Sequence, residues 1–153
     1  MLTENDVIEA VCNKLEDMDY EIRQRLHTSE PGIDIIAVKD NFTLMIEAKG
    51  ETSALETSSR YGKPFNQNQI KNHVGKALLV ASKLISDYRD STGFGVAIAL
   101  PDNDGHRKVV GDIEYAMHKL GVYVFWVKDF NIVEIKLSWL IKKERKSKWV
   151  DLL

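Results

Sequence analysis

Three ionisable residues, Asp34, Glu47 and Lys49, interrupt an otherwise apolar stretch, PGIDIIAVKDNFTLMIEAKG, over residues 31–50. Ile33, Ile35, Ile36, Ala37 and Val38 read as one strand. Thr43, Leu44, Met45, Ile46 and Ala48 read as a second, with Lys39-Asp40-Asn41 as the turn between them. Charges within buried strands are costly unless they are paired or bound to a metal. Side chains at i and i+2 of a strand share a face, so Glu47 and Lys49 point the same way. A hairpin about Asp40 and Asn41 brings Asp34 opposite Glu47 or Ala48. Two carboxylates held close repel, and one keeps its proton unless a cation intervenes. Hard oxygen donors of this kind suit Mg²⁺ or Mn²⁺. The backbone carbonyl of Ala48 offers a further oxygen. Lys49 beside the pair can orient a water or offset charge on a phosphoryl group.

Asp34, a twelve-residue gap and then Glu47-Ala48-Lys49 resemble the signature of the PD-(D/E)XK, or restriction-endonuclease-like, nuclease superfamily. Pro31-Gly32-Ile33-Asp34 stands at the Pro-Asp half with two residues inserted, and the Glu-x-Lys half matches in full. The resemblance implies an α/β fold with a mixed sheet of about four to six strands flanked by helices. Its order would be an αβββαβ core with an αβ(β)α C-terminal extension. It implies Asp34, Glu47 and Lys49 as catalytic residues, and a first-helix glutamate directed at the metal. Glu9 is the candidate for that glutamate, with Glu4 second. It further implies a glutamine beside the catalytic lysine, for which Gln69 is the candidate and Gln67 follows closely.

Those residues need elements to carry them. Residues 3–18 read as a helix capped by Thr3 and Asp6, with Val7, Val11, Leu15 and Met18 along one stripe. Tyr20 to Leu26 reads as a strand, and His27 to Pro31 as a loop. Residues 50–66, GETSALETSSRYGKPFN, hold no period and read as a long loop of the functional or mobile kind. Arg60, Tyr61 and Lys63 within it suit phosphate contact and base stacking. Residues 67–89 read as a helix whose opening turns carry amides, Lys71 and His73, at the end where a helix favours anions. Gly93 to Leu100 reads as a buried strand, and residues 101–105 as a turn. Lys108 to Leu120 reads as a helix ended by Gly121. Val122 to Val127 and Ile132 to Leu137 complete the strands.

At 153 residues the chain reads as a single domain. One cysteine, Cys12, excludes an internal disulfide and fits a cytoplasmic setting. No signal peptide is read at its start. No apolar run approaches the roughly 18–20 residues that span a bilayer, so no membrane association is expected. The net charge of -2 does not advertise nucleic-acid binding. Basic residues concentrate instead in a tail over 138–153, where Lys142, Lys143, Arg145, Lys146 and Lys148 lie between Trp139-Leu140-Ile141 and Trp149. That tail reads as a basic helix that tracks nucleic acid, docks its tryptophans on the core, or does both.

Together these features lead us to expect a metal-dependent endonuclease that hydrolyses phosphodiester bonds, in DNA before RNA, with Mg²⁺ or Mn²⁺ as cofactor. Asp34, Glu47, Ala48 and Glu9 are its expected metal ligands. Arg60, Lys63, Lys71 and His73 are its expected substrate contacts. Cutting both strands would call for a homodimer or a partner subunit. Three alternatives stay open. One is a catalytically lapsed nuclease-fold protein that serves as a nucleic-acid or protein binding subunit. Another is an interaction domain in which Glu47 and Lys49 form a purely structural ion pair. The last is a subunit whose DNA recognition lies in another protein.

Overall fold

A computed structural model describes residues 1–130 and 132–136. The predicted basic tail, 138–153, lies outside the described residues, and so does the final helix of the expected order. The chain opens with α1 (Glu4–Asp17), started by a reciprocal cap. Thr3 Oγ1 accepts from the Asp6 amide at 3.2 Å, and Asp6 Oδ2 accepts from the Thr3 amide at 2.8 Å. Val7, Ile8, Val11 and Leu15 form its fully buried stripe.

Then come β1 (Glu21–Arg25), β2 (Ile35–Lys39) and β3 (Phe42–Ala48), which pair antiparallel in sequence. The β2–β3 turn is two residues long, and Asp40 takes its left-handed position at φ 52°. Next are α2 (Gln67–Asp87), β4 (Phe94–Pro101), α3 (Asp104–Leu120), β5 (Val122–Asp129) and β6 (Ile132–Lys136). β3, β4 and β5 run parallel, and β6 returns antiparallel. The result is one mixed sheet in the order β1-β2-β3-β4-β5-β6.

Strand alternation divides the core in two. Ile35, Ala37, Leu44, Ile46, Ala97, Ala99 and Phe125 pack with α1 on one face. Met45, Val96, Ile98, Leu100, Val124 and Trp126 pack with α2 and α3 on the other. No helix among the described residues is long and apolar enough to cross a membrane.

Two expected boundaries move. α3 begins at Asp104 rather than Lys108, because Asn103 Oδ1 accepts from the His106 amide at 3.0 Å and caps the helix. The acidic and amide residues after Pro101 are therefore a cap and a first turn. Ile33 and Asp34 lie before β2 rather than within a strand. The Asp34 carbonyl still accepts from the Leu26 amide at 2.8 Å, which ties this approach to the end of β1.

Gly50 fixes how α1 meets the sheet. A Cβ there would lie 2.5 Å from the Glu4 nitrogen and 2.7 Å from the Thr3 carbonyl carbon. We therefore expect Gly50→Ala to lower the unfolding free energy by about 1–3 kcal/mol in urea titration. Gly75→Ala on open α2 surface should raise it by about 0.5–1 kcal/mol. An unchanged midpoint for Gly50→Ala would show that the α1 start does not rest on the end of β3.

Candidate active site at the carboxyl end of the parallel strands

The β2–β3 register pairs Ile35 with Ile46, so the next pair outward is Asp34 opposite Glu47. Both residues are nearly buried, at 8% and 9% exposure. Both belong to the face of Ile36 and Met45, the α2 side. Asp34 Oδ2 accepts from the Ala48 amide at 2.7 Å. Burial pushes the Asp34 carboxyl up to about 7, and the neighbouring Glu47 carboxylate adds to the rise. The Ala48 amide and Lys49 oppose it.

Lys49 leaves the sheet at the same end. Its Nζ donates to Ala48 O at 2.6 Å, to Glu47 Oε1 at 2.8 Å and to Glu4 Oε2 at 3.2 Å. Burial favours loss of its proton, but the carboxylates of Glu4, Glu47 and Asp34 outweigh this and hold the ammonium charged. Three carboxylates and one ammonium thus share the rim where β3 ends. This is also the carboxyl end of β4 and β5, where open α/β sheets characteristically bind ligands.

The first-helix glutamate at this rim is Glu4, not Glu9. Glu9 Oε2 accepts from Arg25 Nη1 at 2.9 Å, and Glu9 Oε1 lies 2.8 Å from His27 Nε2. The reason is helical rotation, since five residues at about 100° each turn Glu9 well away from the Glu4 direction. Glu4 reaches Lys49 from the first turn of α1, where acidic side chains also suit the helix dipole. Gln69 is likewise engaged elsewhere. It closes the α2 capping box, with Oε1 accepting from the Asn66 amide at 2.9 Å while its own amide donates to Asn66 Oδ1 at 3.0 Å.

A cleft of about 260 Å³ opens beside Glu4, lined in part by Thr28, Thr52, Arg60, Phe65 and His73. Of the expected substrate contacts, Arg60 and His73 line it. Lys63 and Lys71 are exposed, and Lys71 lies two positions before His73, on the other side of α2. The His73 ring meets Phe65 edge-on at 4.5 Å between centroids. Its Nδ1 is buried and has no hydrogen-bond partner among the described residues. Burial first, and then Lys49, lower its pKa, so the ring is neutral at neutral pH. The 50–66 loop is closed on itself by Phe65 N to Glu51 O at 2.9 Å and by Thr52 Oγ1 to Arg60 O at 2.9 Å.

Behind the rim lies a polar brace that the sequence reading missed. Glu51 Oε1 accepts from the Leu2 amide at 2.8 Å, and Glu51 Oε2 accepts from Asn103 Nδ2 at 2.7 Å. Asn103 Oδ1 also lies 2.9 Å from Nδ1 of His106, which is fully buried. The brace ties the arm before α1 to the first turn of α3.

The oxygens of Asp34, Glu47, Glu4 and Ala48 are the hard donors that Mg²⁺ or Mn²⁺ prefers. Among the described residues no group of three or more His, Cys, Asp or Glu side chains is disposed to hold a metal as it stands. The Lys49 ammonium sits among those oxygens instead, so their preference for a cation is already visible. Comparison with protein-family models, with curated proteins and with solved structures returned no match.

The raised Asp34 carboxyl carries a pH signature. Its folded pKa exceeds its unfolded value, so its favourable contribution is complete below about pH 4. That contribution is lost as pH rises through about 7. In metal-free buffer, Asp34→Asn should therefore be more stable than wild type at pH 8, by on the order of 3 kcal/mol. The difference should close toward pH 4. His106, lowered to about 4 by burial, works in the opposite sense and is lost as pH falls from 6.5 toward 4. The variant should thus lose more stability between pH 8 and pH 4 than wild type does. Thermal unfolding followed from pH 4 to pH 8 checks this, and parallel profiles for the two proteins would contradict it.

Proposed function

We propose that this chain is a metal-dependent phosphodiesterase of the restriction-endonuclease-like kind, acting on nucleic acid and on DNA before RNA. The observation that carries the reading is the convergence of Asp34, Glu47 and Lys49 at one buried rim, with the Asp34 carboxyl raised by burial and by its neighbour. Such perturbed groups beside a cleft are typical of catalytic sites. The element order adds support, because helix, three strands, helix, strand, helix, strand is the order that the motif resemblance implies.

Asp34, Glu47 and the Ala48 carbonyl are the oxygens offered to Mg²⁺ or Mn²⁺, with Glu4 alongside in the place expected of Glu9. Such an ion supplies water activation and charge stabilisation at phosphorus. Lys49 offsets negative charge on the phosphoryl oxygens once its ammonium turns from the carboxylates toward substrate. Arg60, which lines the cleft with Glu4, neutralises a flanking phosphate. His73 offers a neutral imidazole at the cleft wall.

A second reading draws on the Lys49 contacts. An ammonium already satisfied by Glu47, Ala48 and Glu4 also suits a lapsed enzyme that binds nucleic acid or a protein partner without cutting.

Cleavage of a mixed panel separates the two. The panel holds supercoiled plasmid, linear duplex, single strands, a four-way junction and structured RNA, each with Mg²⁺, Mn²⁺ or EDTA. We expect metal-dependent cutting that falls about 100-fold or more in Lys49→Ala. It should fall in Glu4→Gln and stay near wild type in Glu9→Gln. Equal cutting by Lys49→Ala and wild type would refute the mechanism. Retention of a substrate in gel-shift assays without cutting of any would favour the lapsed enzyme.

A further inference from the structure

α1 is the one helix among the described residues that covers its face of the six-stranded sheet, whereas two helices cover the other. It is 14 residues long, and its carboxyl end lies at the turn end of that face. An apolar groove of about 270 Å³ lies there, lined in part by Met18, Tyr20, Phe42, Tyr123, Phe125 and Ile135. This is the end opposite the carboxylates, since β3 starts here at Phe42 and ends at Ala48 beside the candidate site. An open apolar groove of this kind marks an interaction surface.

We propose that the groove is the seat of the chain's own segment 137–141, Leu137-Ser138-Trp139-Leu140-Ile141, with Trp139 and Leu140 as the anchors. Three observations select this occupant. First, direction: β6 runs antiparallel to β5, from Ile132 beside Asp129 to Lys136 beside Val124, so the chain leaves the sheet toward the groove end. Second, proximity: Ile135 lines the groove and packs on the α1-side core, and Leu137 follows it by two residues. Third, charge: exposed Asp17 and Asp19 stand at the carbonyl end of α1, next to Met18 and Tyr20 of the groove. The segment that follows the anchors carries Lys142, Lys143, Arg145, Lys146 and Lys148. Cations suit a helix carboxyl end and its acidic neighbours. Docking of 137–141 covers the groove and delivers the basic run to that acidic corner.

The test uses the full chain in two forms. In the first, Trp126→Phe and Trp149→Phe leave Trp139 as the sole tryptophan. We expect iodide to quench it several-fold less than in the urea-unfolded chain, and Met18→Glu to restore quenching without loss of the circular dichroism of the fold. In the second, Met18→Cys and Leu140→Cys are joined with a short bismaleimide at submicromolar protein. Cys12 is buried and its thiol is pushed up to about 11, so it does not compete for reagent. An intrachain cross-link formed in native buffer and lost in urea is the expected product. An interchain product would overturn the proposal in favour of a second copy of the chain. Absence of cross-linking, or a Trp139 as accessible in the native chain as in urea, would overturn it outright.

Discussion

The structure depends on how one ammonium is shared. Lys49 stands among the Glu47 carboxylate, the Glu4 carboxylate and the Ala48 carbonyl, with Asp34 close behind. Buried charges persist only where opposite charge and hydrogen bonds offset their loss of water. Three carboxylates against one ammonium leave the rim short of positive charge. Burial first, and then the Glu47 carboxylate beside it, raises the Asp34 carboxyl to about 7. A surface ion pair would be worth little, but this cluster is nearly dry, and its imbalance favours further cation.

The rest of the fold can be understood as support for that rim. β2 and β3 bring Asp34 and Glu47 face to face through a two-residue turn whose register admits no slip without moving Ile35 and Ile46 off the core. β4, fully buried from Gly95 to Pro101, holds β3 from the other side. α1 must deliver Glu4 from above, and three features fix its start: the Thr3 cap, Gly50 and the Glu51 brace to Asn103. α2 supplies His73 to the cleft while its own first turn is closed by Asn66 and Gln69. Site residues therefore come from both helical layers and from the sheet between them, so a shift of any layer would be felt at Lys49.

The central pair was legible in the sequence because strand periodicity and a short polar turn leave few registers. An Asp, a Glu and a Lys at the ends of apolar strands have few places to go. The mixed α/β architecture followed from the same alternation of periods. The helix residues were less legible. Glu4 and Glu9 are both acidic and both lie off the apolar stripe, and only the placement of α1 against Gly50 separates them. Gln69 matched a motif position by type, yet its spacing from Asn66 also makes a capping box, and the local bond prevailed. The start of α3 was read as a turn because Asn and Asp serve turns and caps alike. The Glu51–Asn103–His106 brace joins residues 52 apart in sequence and has no local signature.

Calorimetric titration of Mn²⁺ into the full chain at pH 7.5 tests the central claim most directly. Saturable binding is expected, which Asp34→Asn and Glu47→Gln each abolish or weaken at least about 10-fold, with Glu9→Gln unchanged. Lys49→Ala should bind at least as tightly as wild type, because its ammonium competes for the same oxygens. Absence of binding, or binding indifferent to Asp34→Asn and Glu47→Gln, would contradict the claim that this rim is a seat for a divalent ion.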